Sequence, residues 1–312
     1  MDFRELNYVI AIAEYQNLSK ASEHLYVSQP TLTKFLKTLE SQLGQPLFDR
    51  VGNKFVLNYA GKCFVEDARS ILEIKSSLDK KLLDIRKENI GMLKIGVSLL
   101  RSASVLPQVL PEFSELYPKI NIQLIEEDSS ALEKMLINGD LDLAAYAFSA
   151  RHPALAYEVI NPEELILAMS IDHPLAKMGE QRADHAFPFF DIRLAADERF
   201  ILSGSRQHMA VLSDRLFHNA GFKPHVVLVT KNKASALALA ARGYGITLLK
   251  NTHLDTLHEN LHLLKFFALE DSQTMSDFGV IYRANAYVPQ YMRDFIRITK
   301  EKCSTQYAAL KG

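Results

Sequence analysis

The chain carries almost no net charge and very few cysteines. Its 312 residues have a formal net charge of −1 and two cysteines, Cys63 and Cys303. A net charge near zero gives no global positive field that would draw the protein onto nucleic acid. The two cysteines are far apart and lack a second Cys or a His at zinc-ligand spacing, so a zinc site is not indicated. We expect two free structural thiols, with a disulfide redox sensor as the alternative.

Long hydrophobic runs are also missing. The sequence has no stretch of about 20 uncharged apolar residues and no basic leader followed by an apolar segment. We therefore expect no membrane span, no signal peptide and a cytoplasmic location. A chain of 312 residues exceeds one ordinary hydrophobic core and should divide into two or more domains.

The common catalytic motifs are absent as well. The ten histidines include no HExxH pair, Gly204-Ser205 lacks the G-x-S-x-G pattern of a nucleophilic serine, and no glycine-rich phosphate loop occurs. We therefore expect no enzymatic activity, no metal and no cofactor.

What is present is a helix signature near the N-terminus. Ser28 is a good N-cap, Pro30 suits a first helical turn, and Gly44 is a stop signal. Between them, leucines recur at the helical period: Leu32, Leu36, Leu39 and Leu43. A short preceding helix would pack against this one through Ala21, Leu25 and Val27.

The opposite face of the predicted helix carries small polar groups followed by lysines, which suits a helix that enters the major groove of DNA. Apolar runs on both sides of Gly52-Asn53 predict a two-stranded wing beside it. Phe35 either packs on a neighbouring helix or stacks on a base. The candidate DNA-binding residues are Ser28, Gln29, Pro30, Thr31, Thr33, Lys34, Lys37, Arg50 and Lys54. An ordinary helical hairpin with surface lysines is the alternative.

The N-terminal segment that contains the predicted helices and wing, residues 1–62, is called the head here, and it is nearly neutral. The first 62 residues contain seven Lys or Arg and six Asp or Glu. Non-specific affinity for DNA should therefore be modest for one head, and useful affinity would need two or more heads acting together.

At these positions the sequence resembles a known family. The matching residues are Ala21, Leu25, Val27-Ser28-Gln29-Pro30, Leu36, Leu39-Glu40, Leu43-Gly44, Leu47-Phe48-Asp49-Arg50 and Ala60-Gly61. They resemble the winged helix-turn-helix signature of LysR-type transcriptional regulators. The chain departs from that pattern at Ser22, Thr33, Phe35 and Asn58-Tyr59, which bears on base preference.

The segment 60–87 has no proline, and its apolar residues alternate at steps of four and three. This spacing predicts a long helix with a narrow seam, formed by Phe64, Ala68, Ile71, Leu78, Leu82 and Ile85. Lys75 occupies one seam position and should reach the rim or pair with Asp79 or Glu73. The resemblance implies antiparallel pairing of this linker helix between two subunits. Packing along the chain's own second domain is the alternative.

Beyond residue 91, strands and helices alternate, which predicts two α/β lobes with parallel sheets. The fold class is thus α/β, with an N-terminal winged helix-turn-helix and, by resemblance, a two-lobed periplasmic-binding-protein-like effector domain. We expect a DNA-binding domain at 1–59, a linker helix at 60–90 and an effector-binding domain at 91–312. Its lobes would be 91–162 plus 267–312, and 163–266.

Ligands of open α/β sheets bind beyond the carboxyl ends of strands, where helix N-termini favour anions. Short polar residues lie at several such positions and predict a small anionic effector. The candidate residues are Ser98, Leu100, Arg101, Ser102, Ser129, Phe200, Ser203 and Thr230. The serines could instead only cap their helices, and Arg101 and Arg206 could clamp a carboxylate or lie on the surface.

Together these observations predict a sequence-specific transcriptional regulator controlled by a small-molecule effector. The resemblance implies dimers that assemble into tetramers on an interrupted palindromic operator in double-stranded DNA, and contact with RNA polymerase if the protein is an activator. A ligand-independent repressor or nucleoid-type protein is the alternative. A periplasmic solute-binding protein would share the two-lobed fold but would not need the predicted DNA-binding head.

Overall fold

The structure, a computed structural model, describes residues 2–86, 89–183, 185–204, 208–255, 260–269 and 275–304. For Ile85, Leu100, His208 and Asp255 it describes the backbone alone. Contacts divide the chain into two compact units, Met1–Glu88 and Asn89–Gly312. In the described part of the chain, no helix is both long enough and apolar enough to cross a membrane.

The first unit contains four helices and a hairpin in its described residues: α1 (Phe3–Tyr15), α2 (Leu18–His24), α3 (Gln29–Leu43), β1 (Phe48–Val51), β2 (Lys54–Leu57) and α4 (Tyr59–Ile85). The predicted start and stop of α3 are confirmed. The Ser28 side chain caps the helix by accepting a hydrogen bond from the Thr31 N–H, and Gly44 ends it with φ 71°. Leu32, Leu36 and Leu39 are buried in the core of this unit as expected.

The rest of the head also follows the sequence prediction, with one exception. Strands β1 and β2 form the antiparallel wing around Gly52-Asn53. Phe35 packs edge-to-face on Tyr8 of α1 at 5.1 Å, so it is a helix-packing residue and does not present its ring to a base. Leu43 departs from the prediction because it is 41% exposed at the end of the stripe.

Helix α4 confirms the long helix predicted over 60–87. Its first half packs on α1, where Ala68 is buried and Arg69 pairs with Glu14 at 2.5 Å. Gly61 is required at its start, because a Cβ there would lie 2.0 Å from the Leu47 carbonyl oxygen. Further along, Lys75 pairs with Asp79 at 2.5 Å, as expected. Several apolar side chains of α4 are exposed: Ile71, Ile74, Leu78 and Leu82.

The second unit is an α/β structure built around one sheet. Its helices are α5 (Leu99–Leu116), α6 (Ser129–Asn138), α7 (His208–Ala220), α8 (Lys233–Ala241) and α9 (Gln290–Cys303). Its strands are β3 (Gly91–Ser98), β4 (Ile120–Glu127), β5 (Leu143–Phe148), β6 (Leu155–Ser170), β7 (Phe189–Phe190), β8 (Arg199–Leu202), β9 (His225–Val229), β10 (Ile246–Lys250), β11 (Leu264–Leu269) and β12 (Met275–Arg283). Short 3-10 helices include Asn251–Asp255.

The sheet is mixed, whereas the sequence predicted a parallel one. Strands β3, β4 and β5 are parallel in one lobe, and β8, β9 and β10 are parallel in the other. Strand β6 joins the two lobes, because its first half pairs antiparallel with β12 and its second half pairs antiparallel with β10 and β11. The order is β4-β3-β5-β12-β6-β10-β8-β9.

Each lobe has its own hydrophobic core. Strands β3, β5 and β12 with helices α5 and α9 enclose the first core, and β8, β10 and β11 with α7 enclose the second. Phe267 and Leu269 on β11 pack in the second core, so the chain returns to the first lobe after residue 269 and not at residue 267.

Both cysteines are free. Cys303 is buried at the end of α9, and burial raises the pKa of its thiol to about 11, which makes the thiol unreactive at neutral pH. Cys63 is exposed on α4.

Candidate functional site

The candidate DNA-binding face of the head consists of short side chains fixed by local hydrogen bonds. Ser28 Oγ and Thr31 Oγ1 are 2.7 Å apart, and Thr33 Oγ1 donates to the Gln29 carbonyl at 2.9 Å. The Gln29 side chain accepts a hydrogen bond from Ser19 Oγ on α2. These bonds order the first turn of α3 while its outer side, including Pro30, remains exposed.

Exposed cations lie on α3 and on the wing. Lys34, Lys37 and Lys54 are exposed, and no carboxylate among the described residues forms an ion pair with them. On the wing, the Arg50 guanidinium lies over the ring of Phe55 at 5.1 Å. The face therefore offers ammonium and guanidinium groups that phosphates can contact without first breaking an ion pair.

The second candidate site lies where the parallel strands of each lobe end. Ser98 occupies the N-cap position of α5, but its side chain makes no capping hydrogen bond. Its hydroxyl has no hydrogen-bond partner within the described ranges. The reading of Ser98 as a simple helix cap is therefore wrong, and the first N–H groups of α5 have no side-chain cap.

Ser129 does not cap its helix either. Asp128 caps α6 by accepting from the Ala131 N–H at 2.9 Å, and Ser130 Oγ donates to the same carboxylate. Burial acts to raise the pKa of Asp128, but these hydrogen bonds and the charge of Lys231 lower it below its usual value. Because Lys231 follows β9, this interaction places the carboxyl ends of β4 and β9 near each other across the two lobes.

Arg101 is neither an anion clamp nor a surface residue. It is 7% exposed, forms a salt bridge with Glu163 on β6, donates to Thr252 Oγ1 and lies over the Phe278 ring at 4.5 Å. Its guanidinium is thus held by groups of the protein. Both readings of Arg101 from the sequence are corrected, because a carboxylate distant in sequence neutralises it.

The prediction that Phe200 is an effector-binding residue is also wrong. Its side chain is fully buried in the core of the second lobe and packs edge-to-face on Phe217 at 5.0 Å. It therefore cannot line a site open to a ligand. The Leu100 side chain and Arg206 lie outside the described residues.

The remaining candidates are polar groups at strand or helix ends. Ser102 donates to the Leu99 carbonyl in the first turn of α5. In the second lobe, the Thr230 N–H donates to the Leu202 carbonyl at 3.0 Å, which holds the ends of β8 and β9 together. Ser203, directly after β8, accepts a hydrogen bond from Lys233 Nζ at the start of α8.

Lys233 is a site residue that the sequence analysis missed. It is 9% exposed, and burial lowers its pKa to about 8. Its position at the first turn of a helix, shortly after the end of a strand, was the available signal, since a similar position selected Ser98 and Ser129.

A buried charged cluster lies beside it. Glu163 is fully buried and bonds both Arg101 and Lys250, with Lys250 Nζ at 3.0 Å. Burial and the charge of Arg101 lower the pKa of Lys250. The nearby His253 has a pKa lowered well below its usual value by burial and by three surrounding cations, so its imidazole is neutral. Within the described ranges, no three His, Cys, Asp or Glu side chains form a group that could hold a metal.

Two family models match the chain. The LysR-family bacterial regulatory helix-turn-helix model matches residues 3–62, and the LysR substrate binding domain model matches residues 86–304. The Hca operon transcriptional activator HcaR of Escherichia coli (strain K12) is 30% identical over 249 residues, which is 80% of this chain and 81% of that protein. The regulator TcbR of Pseudomonas sp. (strain P51) is 30% identical over 246 residues, 78% of this chain and 80% of that protein.

Solved structures share this fold. A full-length OxyR variant from Pseudomonas aeruginosa has a TM-score of 0.70 at 20% identity and covers 98% of this chain and 95% of that one. Full-length CbnR in complex with its target DNA has a TM-score of 0.58 at 25% identity, covering 97% of this chain and all of that one. The chain therefore belongs to the LysR family: it is a DNA-binding transcriptional regulator with an N-terminal helix-turn-helix and a two-lobed effector-binding domain.

Proposed function

We propose that the chain binds an operator made of two inverted half-sites, as a dimer held together by α4, and that a small anionic effector controls this binding. The observation that supports DNA binding in this proposal is the exposed face formed by α3 and the wing. There, Lys34 and Lys37 of α3 and Lys54 of the wing are exposed and have no carboxylate partner among the described residues. Hydroxyls there can contact base edges while the ammonium groups contact phosphates.

Self-association through α4 is supported by its exposed apolar side chains. Ile74 is 70% exposed and Leu78 is 54% exposed in one chain. A long helix that exposes a contiguous apolar stripe is stabilised when a second helix covers that stripe. Two joined heads would also supply the affinity that one nearly neutral head lacks. We further propose that dimers pair into tetramers on DNA, and that an activating form would contact RNA polymerase.

The effector part rests on Ser98 and the uncapped first turn of α5. Free N–H groups at a helix N-terminus, together with hydroxyls from Ser98, Ser102, Ser203 and Thr230, favour a small anion. Arg101 joins α5 to β6 through its salt bridge with Glu163. The chain would act in the cytoplasm as a regulator without catalytic activity, because its family members act on transcription.

The operator proposal is tested by selecting bound duplexes from a random library with the full-length protein. We expect enrichment of inverted repeats separated by a spacer, since two heads related by a dyad read two half-sites. Binding of all duplexes alike would contradict sequence-specific recognition and would favour a nucleoid-type protein.

The effector proposal is tested by a thermal-shift screen of small metabolites on the full-length protein, because a ligand of the folded state raises its apparent stability. For a ligand found in this way, Ser98→Ala should weaken binding roughly three- to a hundredfold, the loss expected for one hydrogen bond. Ser114→Ala, an exposed serine on the same helix, is the control and should leave affinity unchanged. Equal affinity for both variants would remove Ser98 from the site.

A further inference from the structure

Lys233 is a buried cation that lacks a neutralising partner. Its side chain at the start of α8 is 9% exposed and donates to Ser203 Oγ. In the part of the chain that the structure describes, no carboxylate lies within ion-pair distance of it. A buried ammonium is costly unless a negative charge compensates it, so the unliganded protein leaves this charge unmatched.

The neighbouring elements do not supply the missing charge. Strands β6, β8, β10 and β11 and the 3-10 helix Leu261–Leu263 pack against α8, and their titratable residues are Tyr157, Glu158, Glu163, Glu164, Arg199, Lys250, His262 and Lys265. None of these groups changes the pKa of Lys233, which burial alone lowers. Glu163 already serves Arg101 and Lys250, and its two carboxylate oxygens are used by them and by Thr252. The carboxylate of Glu163 is therefore fully used.

The nearby His253 supports the same conclusion. It is 8% exposed, it is close enough to Lys233 for that charge to lower its pKa, and its Nδ1 atom has no hydrogen-bond partner among the described residues. A neutral imidazole cannot neutralise Lys233. Buried polar atoms that lack a partner commonly mark a place where a ligand or water completes the hydrogen bonding.

Lys233 also lies at the edge of the sheet where the two lobes meet. Ser203 follows β8, and Lys233 begins the helix that follows β9. Two residues before it, Lys231 interacts electrostatically with Asp128 of the other lobe. The unmatched charge thus lies on the second-lobe side of the proposed effector cleft.

We propose that Lys233 is the charge partner of the effector, and that the effector is a small organic monocarboxylate bound by Lys233 Nζ and Ser203 Oγ. This inference rests on the proposed effector cleft and specifies its ligand. Among the described residues no carboxylate pairs with Lys233, so a single carboxylate of the ligand is enough to match it, and an ammonium binds such a compact charged group as a point charge.

The first test is calorimetry on the full-length protein with a panel of aliphatic, aromatic, hydroxy and keto monocarboxylates. Each acid is compared with its neutral amide and with inorganic phosphate. We expect at least one acid to bind at least tenfold more tightly than its amide and than phosphate, and K233M to reduce that affinity at least tenfold. K223M is the matched control, because Lys223 is an exposed lysine of the same lobe at the opposite end of β9. K223M should bind like the wild type.

A second measurement is proton uptake. In the free protein part of the Lys233 population is neutral near pH 8.5, because burial lowers its pKa to about 8. A bound carboxylate favours the charged amine and raises this pKa. Binding at pH 8.5, measured in two buffers of different ionisation enthalpy, should therefore take up protons in the wild type and in K223M but not in K233M. Binding without proton uptake in the wild type would overturn the proposal.

A third measurement needs no ligand. The pKa of Lys233 is lower in the folded chain than its ordinary value of 10.5, so the free protein should gain stability as the pH rises from about 8 to 10.5. K233M should have a higher melting temperature than the wild type at pH 7 and should lack this gain. A lower melting temperature of K233M would indicate a structural lysine and would overturn the inference.

These results separate the inference from the proposed function. Wild-type protein that selects inverted repeats but binds no acid of the panel more tightly than its amide contradicts the role of Lys233 alone. Failure to select any DNA sequence contradicts the proposed function itself.

Discussion

The two units of the chain place their charged residues in opposite ways. In the head, Lys34 and Lys37 are exposed and lie within a few residues of the hydroxyls of Thr31 and Thr33, and Lys54 of the wing is exposed as well. In the effector-binding unit, Arg101, Lys233 and Lys250 are buried, and their partners lie 26 to 151 residues away. A surface that meets DNA keeps its cations in water until binding, whereas a small-ligand site holds them out of water at a cost in stability.

The largest effect that would sharpen this comparison is expected at Glu163. Glu163→Gln removes the carboxylate that pairs with both Arg101 and Lys250 while these side chains stay buried, so the unfolding free energy should fall by about 3–5 kcal/mol. Urea unfolding at pH 7 measures this loss.

The same substitution in the head is the control. Glu14→Gln breaks the partly exposed pair with Arg69, and a pair of this kind contributes about 1 kcal/mol or less. Equal losses in the two variants would contradict the distinction between the units.

The next effect concerns α4. Leu78→Asp introduces a charge into the exposed apolar stripe and should weaken dimerisation by roughly 2–4 kcal/mol if a second α4 covers that stripe. Sedimentation should then show a smaller species. Ser76→Asp, on the opposite side of the helix, should keep the native mass. If Leu78→Asp also keeps it, the chain associates through another surface.

The head could be predicted from the sequence because its signals are local. Ser28, Pro30 and Gly44 bound α3 within a local segment, Ser28 to Gly44, and the leucine spacing sets its buried face. Leu43 was predicted wrongly because periodicity indicates which face a residue occupies but not whether the core extends to the end of the helix.

The second unit was predicted less completely because the order of its strands depends on pairing between strands that are far apart in sequence. The part of β6 that pairs with β12, residues 155–164, contains Asn161, Pro162 and three glutamates, which mask a strand whose partner lies more than a hundred residues later. Likewise, nothing near Arg101 indicates that Glu163 and Thr252 neutralise and orient it. Serines at strand ends could be predicted by position, whereas the burial of Lys233 required the packed structure.

A smaller effect tests base reading in the head. Thr33→Ala should cost about 1–3 kcal/mol on the selected operator and little on random DNA, as expected for the loss of a contact to a base. Thr38→Ala is the matched control, because both threonines donate to the carbonyl four residues earlier at 2.9 Å. Both changes therefore affect α3 alike, and gel shifts of the two variants isolate the contact to DNA. Equal losses in the two variants would reduce Thr33 to a helix-stabilising residue.

The smallest effect tests whether an exposed, unpaired lysine of the head contacts a phosphate. Lys37→Ala should weaken binding to operator and random duplexes alike and reduce the slope of log affinity against log salt by about 0.9, the counterion release of one phosphate contact. Lys119→Ala, an exposed lysine of the effector-binding unit, should leave the slope unchanged. Titrations at several salt concentrations measure both slopes. If Lys37→Ala changes neither affinity nor slope, exposure without a partner does not identify phosphate contacts in this head, and the contrast between the units would concern stability alone.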